Sequence, residues 1–248
     1  MSTTIAIINH KGGVGKTTST INIGAGLARK GKKVLLIDID PQANLTQSLD
    51  ITDSTYNIYG ALKGEYLLKP LKVSNNLLVI PSTLDLASAE VEMASMISRE
   101  TILAKLIKPI KHQYDYILID CPPSLGLVTI NALSASDKIL VPLQAQFLAL
   151  YGLNKLLEII QVVRKNINSR IKIGGIFITQ YDGRKILNRD ILRSVEKLFK
   201  GQVFKTLIRD NISIAEAPSK GIDIFNYSPN SRGATDYQAL VEEILIKL

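Results

Sequence analysis

Short apolar runs recur along this 248-residue chain, and most are followed by stretches in which apolar residues return every three or four positions. The runs Ile5–Ile8, Val34–Ile37, Leu77–Ile80, Tyr116–Ile119, Ile139–Val141, Ile173–Ile178 and Val203–Leu207 suit buried strands. Helical periodicity covers 17–30, 83–97, 100–108, 125–135, 147–166, 187–200 and 233–247. Strands alternating with helices predict an α/β fold, a mostly parallel sheet with helices on both faces. Ligands on such sheets bind beyond the carboxyl ends of the strands. Residues 51–76 carry the weakest pattern and predict an irregular excursion with a short helix or two. No repeat, low-complexity tract or linker divides the chain, so a single domain over 1–248 is expected.

Two helices have informative faces. In 187–200 the spacing turns Leu187, Ile191, Val195, Leu198 and Phe199 inward, and leaves Arg189, Arg193 and Lys200 outside with Glu196. In 233–247 Tyr237, Leu240, Val241 and Ile244, continued by Leu248, form one apolar stripe. Its polar face carries Glu242 and Glu243, so packing on the sheet is expected rather than contact with an anionic membrane.

The candidate chemistry begins at residues 10–18, HKGGVGKTT, directly after the first apolar run. Gly12, Gly13 and Gly15 let backbone N–H groups wrap a polyphosphate, and the helix that follows aims its N-terminus at the same anion. Lys16 reaches the β- and γ-phosphates in such a loop, and the Thr17 hydroxyl faces Mg²⁺. Val14 and Thr18 complete the nucleotide-binding stretch. The loop departs from G-x-x-x-x-G-K-[ST], because His10 stands where that pattern has glycine, and Lys11 adds a second lysine.

Two acidic strand ends follow. In VLLIDIDPQANLT, residues 34–46, Asp38 and Asp40 alternate with apolar residues and lie on one side of the strand end, near Mg²⁺ or a water at the γ-phosphate. In YDYILIDCPPSLG, residues 114–126, Asp120 closes an apolar strand, as the second metal anchor of a phosphate-loop enzyme does. Pro122 and Pro123 turn the chain away, leaving Ser124–Gly126 free to shift when a γ-phosphate is lost. Cys121, the lone cysteine, reads as a packing residue; it allows neither an internal disulfide nor a CxxC site.

Charge adds a partner class. The net charge is +8, and residues 161–221 hold 13 basic and 5 acidic side chains, while the rest of the chain holds 17 of each. A local excess of this kind points to a polyanion. No apolar run is long enough to span a bilayer, and the opening MSTTIAIINHKGG lacks the features of a signal peptide, so a cytoplasmic protein is expected.

These motifs together resemble the ParA/MinD group of deviant phosphate-loop ATPases. The segments LLIDIDPQANLT, YILIDCPPSLG, VPLQAQFLALYGL, ITQYDGR and AEAPSKG look like the Soj-like ParA partition ATPases, over nearly the whole chain. The resemblance implies ATP and Mg²⁺ as cofactors, with ATP sandwiched between two protomers of a homodimer. Lys11 would reach the partner's phosphates, Lys16 would hold those of its own protomer, and Asp40 would position the attacking water. Thr17 and Asp120 would serve Mg²⁺, Asp120 directly or through a water, with Asp40 also placed to act through a water. Asp38 would support the switch by hydrogen bonds, and Asn211 lies near the family's adenine pocket. Slow ATP hydrolysis, accelerated by a ParB-type activator, non-specific DNA binding and nucleoid association complete the expectation, for the partition of a plasmid or chromosome.

Departures from the family pattern are equally specific. Relatives read P-R-N-x-R-L-x-E-A-P-S where this chain has Arg209-Asp210-Asn211-Ile212-Ser213 before Ile214, so the family's DNA-contact arginine is absent at Ser213. Arg184, Lys185, Arg189, Arg193 and Arg209 are the remaining DNA-binding candidates. Gln146 and Tyr151 stand where relatives often have glutamates. Two alternatives are a ParA-like ATPase positioning a cargo other than DNA and a MinD-type membrane-associated ATPase. Cluster-carrying relatives need more cysteines than this chain has, and a dethiobiotin-synthetase-like ligase leaves the DPQ and EAPS segments unexplained.

Overall fold

The computed structural model describes residues 2–146 and 149–248. Among them eight strands form one sheet: β1 (Thr3–Ile7), β2 (Val34–Asp38), β3 (Leu71–Ser74), β4 (Leu77–Ile80), β5 (Tyr116–Asp120), β6 (Lys138–Gln144), β7 (Lys172–Tyr181) and β8 (Val203–Arg209). Their order is β3-β4-β2-β5-β1-β6-β7-β8, parallel throughout except for the antiparallel β3–β4 edge. The helices are α1 (Lys16–Arg29), α2 (Asn44–Ser48), α3 (Ile58–Lys63), α4 (Ala89–Met93), α5 (Ile102–Ile107), α6 (Leu127–Ala135), α7 (Ala149–Asn166), α8 (Ile186–Leu198), α9 (Ile212–Glu216), α10 (Ile224–Tyr227) and α11 (Arg232–Lys247).

The sheet separates two apolar layers. Ile8, Leu35, Ile37, Ile117 and Ile119 face one, with α3 to α8, while Ile5, Ile7, Leu36, Leu118 and Phe177 face the other, with α1 and α11. Parallel strands covered on both faces need apolar residues at successive positions, which is why the runs read as continuous rather than alternating. The central register pairs Ile7 with Asp120 and Asp38 with Asp120, so the carboxyl ends of β1, β2 and β5 stand level. That level edge brings the phosphate-loop motif and both acidic motifs together.

Three expectations need correction. The 51–76 excursion contains α3 but also β3, a half-buried edge strand of four residues without a strong apolar run. The 83–97 helix divides into a 3₁₀ turn (Leu84–Ser88) and α4. In α8, Leu187 and Leu198 are 46% and 65% exposed instead of inward. Asn188 takes the inward place, donating to the Ala145 carbonyl at 2.9 Å and accepting from the Asp182 N–H at 2.9 Å. Two backbone groups that need partners outweigh the burial of one leucine. Residues 147 and 148 of the expected 147–166 helix lie outside the described residues.

α11 behaves as its stripe predicts. Tyr237, Leu240, Val241 and Ile244 are all 1% exposed or less, burial worth about 1.5–3 kcal/mol for each large side chain. Glu243 turns toward β8 and accepts from the N–H groups of Lys205 and Thr206.

Candidate active site

The chain leaves β1 through Ile8 and Asn9 and enters the loop at His10. Gly13 and Gly15 have φ of 72° and 85°, a backbone that side chains with a Cβ rarely adopt. Gly15 caps α1, whose first residue is Lys16. Asn9 braces the entrance, donating to the Pro142 carbonyl and accepting from the Lys11 N–H. His10, at the position where the common pattern has glycine, places Nδ1 3.0 Å from the Pro123 carbonyl. The departure thus joins the phosphate loop to the loop after β5.

The end of β7 grips the phosphate loop. Thr179 Oγ1 donates to the Val14 carbonyl at 2.8 Å, and Gln180 Nε2 donates to the Gly13 carbonyl at 2.8 Å. In a trans peptide the C=O and the next N–H point in opposite directions. Holding these two carbonyls on the β7 side therefore turns the N–H groups of Val14 and Gly15 away from β7. Gln180 itself has φ of 50°, and the β7–β8 register shifts around it. Sequence reasoning passed over both residues; their only signal was a polar pair closing a long apolar strand.

Lys16 is 7% exposed and rests 3.2 Å from the Lys11 carbonyl. Burial lowers its pKa, and the charge of Asp120 opposes that shift. Asp120 is fully buried and accepts from Thr17 Oγ1 at 2.7 Å, with the Thr20 hydroxyl 3.2 Å from its other oxygen. Burial and the nearby Asp38 push the Asp120 carboxyl well above the usual carboxylate range. Asp38 is raised by burial too, although Thr46 donates to it through N–H and hydroxyl at 3.0 and 2.7 Å. With the Asp40 N–H on its other oxygen, Asp38 is committed to bracing its own loop. Asp40 borders the cleft, its carboxylate accepting from the Gln42 N–H and its carbonyl from Ser82 Oγ.

A cleft of about 420 Å³ runs between Gly12, Gly13, Gly15, Lys16, Thr17 and Thr18 on one side and Asp40, Gln42 and Pro123 on the other. It adjoins a cavity of about 190 Å³ lined by Ile208, Arg209, Asp210, Asn211, Ile214 and Tyr237, and Gly15, Thr18 and Gln180 border both. The two halves have the size and polarity for a polyphosphate and a flat base. Asn211 Oδ1 caps α9 on the Ser213 N–H. Tyr237 closes the smaller cavity and pairs with Ser19 on α1 at 3.1 Å. No group of three or more His, Cys, Asp or Glu that could hold a metal occurs among the described residues. The Thr17–Asp120 oxygen pair suits a hard cation such as Mg²⁺, which is bound by few protein oxygens plus phosphates and water.

Lys11 is half-buried, and its Nζ pairs in cis with Gln146 Oε1. Cys121 is fully buried, and burial pushes its thiol pKa up, which fits a packing role.

The basic candidates lie on the β7–α8 side. Asp182 holds Arg184 by two hydrogen bonds of 2.9 Å, Arg189 donates to the Gly183 carbonyl, and Lys185 and Arg193 are exposed. Arg209 is instead committed to Asp236, with Nη2 at 2.6 Å and Nε at 3.0 Å. Arg232, absent from the expected set, joins Arg184 and Arg209 around a pocket of about 560 Å³.

Known proteins share this arrangement of sequence and fold. The AAA-domain family model matches residues 2–173. The sporulation initiation inhibitor protein Soj of Bacillus subtilis is 46% identical, with 98% of each chain covered. The chromosome-partitioning ATPase Soj of Treponema pallidum is 42% identical, covering 100% of this chain and 98% of that one. The chain belongs to the Soj/ParA family of chromosome-partitioning ATPases. Among solved structures, cobyrinic acid a,c-diamide synthase from Mycobacterium smegmatis with bound ADP and magnesium has a TM-score of 0.86 at 32% identity, covering 99% of this chain and 94% of that one. A putative plasmid partition protein from Borrelia burgdorferi bound to AMPPNP has a TM-score of 0.85 at 26% identity, with both chains fully covered. In this Soj/ParA chain, Thr46, Ser82, Thr179 and Gln180 build the site through hydrogen bonds that no motif signals, and Tyr237 adds a wall of the smaller cavity to its place in the α11 stripe.

Proposed function

We propose that this chain is a single-domain ATP hydrolase that dimerises around ATP, binds DNA without base preference and moves a plasmid or chromosome with a ParB-type partner. The observation that carries the reading is the convergence of Lys16, the Thr17–Asp120 pair and Asp40 on one cleft that continues into a base-sized cavity.

In this reading the N–H groups of the 12–18 loop and Lys16 hold the phosphates, and Asn211 and Tyr237 border the base. Thr17 and Asp120 would hold Mg²⁺, Asp120 directly or through a water, with Asp40 also acting through a water. Mg²⁺ bound there would neutralise phosphate charge. Asp40 orients the attacking water and accepts its proton, while Asp38 holds the Asp40 loop in place. Lys11 leaves Gln146 and crosses to the partner's phosphates, offsetting charge that builds up there. Hydrolysis without a partner is slow, because the ATP-bound dimer must outlast its assembly.

The local excess of positive charge supports a DNA face built from Arg184, Lys185, Arg189 and Arg193, with Arg209 contributing less because Asp236 holds it. The same reading puts the protein in the cytoplasm, on the nucleoid. It is tested by measuring binding to unrelated DNA duplexes with ATP, with ADP and without nucleotide. ATP-dependent binding to every duplex is expected. No binding with ATP even at low salt would remove the DNA role and leave an ATPase that positions another cargo.

A further inference from the structure

We infer that Asp236 sets the purine selectivity of this chain, by holding the Arg209 guanidinium away from the edge of a bound base. This rests on the nucleotide reading above and deepens it, naming the residue that decides adenine against guanine.

Arg209 is one of this chain's departures from the pattern of its relatives, which have proline there. Proline brings no side-chain donor, whereas a guanidinium brings five N–H groups in a planar fork. Arg209 borders the cavity of about 190 Å³ beside Asp210, Asn211 and Tyr237, and it also borders the pocket shared with Arg184 and Arg232. A released guanidinium therefore has the base site within reach. Guanine presents two acceptors on one edge, O6 and N7, which match the fork. Adenine presents N7 beside its N6 amino group, a donor that the fork meets badly. Left free, Arg209 would favour guanine.

Asp236 occupies that fork. Its Oδ2 accepts from Arg209 Nε at 3.0 Å and its Oδ1 from Nη2 at 2.6 Å, while Oδ2 also takes the Arg209 N–H at 3.0 Å. The Asp236 side chain is 8% exposed and that of Arg209 45%. A carboxylate so buried holds its cation firmly, because release leaves an unpaired charge in the interior. Covering the open edge of β8 does not by itself require this pair. Glu243, about two turns further along α11, accepts from the N–H groups of Lys205 and Thr206, and one acceptor oxygen would serve the Arg209 N–H in the same way. The engagement of both Asp236 oxygens with Nε and Nη2 is additional.

The other polar groups around the cavity do not separate the two purines. Asn211 Oδ1 is engaged by the Ser213 N–H, which leaves its Nδ2 as a donor for an acceptor that either ring provides. The Tyr237 hydroxyl pairs with Ser19. Asp210 offers acceptor oxygens, and both purines carry an amino group to meet them. The Arg209 fork is thus the group able to discriminate, and Asp236 keeps it out of the site.

The test titrates the full chain with ribose-labelled fluorescent ATP and GTP in the presence of Mg²⁺. Asp236→Asn keeps the size of the side chain and an oxygen for the Arg209 N–H, and it frees the fork. The ratio of GTP to ATP affinity is expected to rise at least about tenfold, the scale of a bidentate arginine contact to O6 and N7. Adding Arg209→Gln to Asp236→Asn removes the fork and should return the ratio to within about twofold of wild type. Asp236→Ser keeps an oxygen for the same N–H and carries the same expectation, so a folding defect in Asp236→Asn does not shield the inference. A pair that merely braces the cavity would lower both affinities together. An unchanged ratio in the folded single variants, or a raised ratio that persists without the arginine, would each overturn the inference. A wild type that binds neither nucleotide would refute the nucleotide reading and this inference with it. A wild type that binds ATP beside single variants of unchanged ratio would refute the inference alone.

Discussion

Replacing Thr179 with valine keeps the shape of the side chain and removes one hydrogen bond, the one to the Val14 carbonyl. Val14 is 1% exposed and Thr179 2%, so water cannot readily take the hydroxyl's place. An orphaned buried carbonyl costs about 1–3 kcal/mol. If the peptide stays in place, that cost falls on folding. If it rotates to find another partner, the Gly15 N–H leaves the phosphate cradle and the cost falls on nucleotide binding. At about 1.4 kcal/mol per tenfold, the range corresponds to roughly five- to 150-fold in ATP affinity, divided between the two. Titration with a fluorescent ATP analogue and thermal denaturation without nucleotide separate the shares. Thr179→Ser restores the donor without the methyl group and should recover most of the lost affinity. A valine variant that binds ATP within about twofold of wild type and melts at the same temperature would refute the clamp.

Three other outcomes follow from the same geometry. Asp40→Ala should retain ATP binding, lose about 100-fold or more in turnover and accumulate an ATP-bound dimer; near-normal turnover, or monomers alone in sedimentation with Mg·ATP, would count against it. Without Mg²⁺, folded Asp120 keeps a proton that the unfolded chain releases above about pH 4, so stability should fall as pH rises toward about 8 and then level. Asp120→Asn should flatten that slope in thermal melts, leaving the part below about pH 6 that Asp38 contributes. Replacing Arg184, Arg189 and Arg193 by glutamate should abolish DNA binding while ATP-dependent dimers persist. Single replacements by alanine should lower the slope of log affinity against log salt by about 0.9 for each phosphate left without its cation, alike on all sequences.

The six strands of the sheet interior were legible because burial on both faces demands apolar runs. Of the two half-exposed edges, β8 was legible through Val203, Phe204 and Leu207 despite Lys205 and Thr206, while β3, with only Leu71 and Val73 apolar, was not. The phosphate loop and the acidic strand ends were legible because their chemistry requires particular residues at fixed spacing. Thr179 and Gln180 were not, because their partners are backbone carbonyls 165 and 167 residues away, a relation with no sequence period. The inward turn of Asn188 escaped for a related reason. Apolar spacing favoured Leu187, and only the folded backbone reveals the Ala145 and Asp182 groups that an amide can satisfy. Arg232 lies outside the basic stretch that charge counting singled out, yet folding brings it to the same pocket as Arg184.

The Ser19–Tyr237 hydrogen bond spans 218 residues. During synthesis on a ribosome the phosphate loop emerges early, while the wall of the base cavity emerges with α11. A nascent chain can thus expose its glycine loop and Lys16 for most of translation without a complete place for the base. On the proposed base site, nucleotide capture would be a property of the finished fold, with the last helix to arrive as its checkpoint.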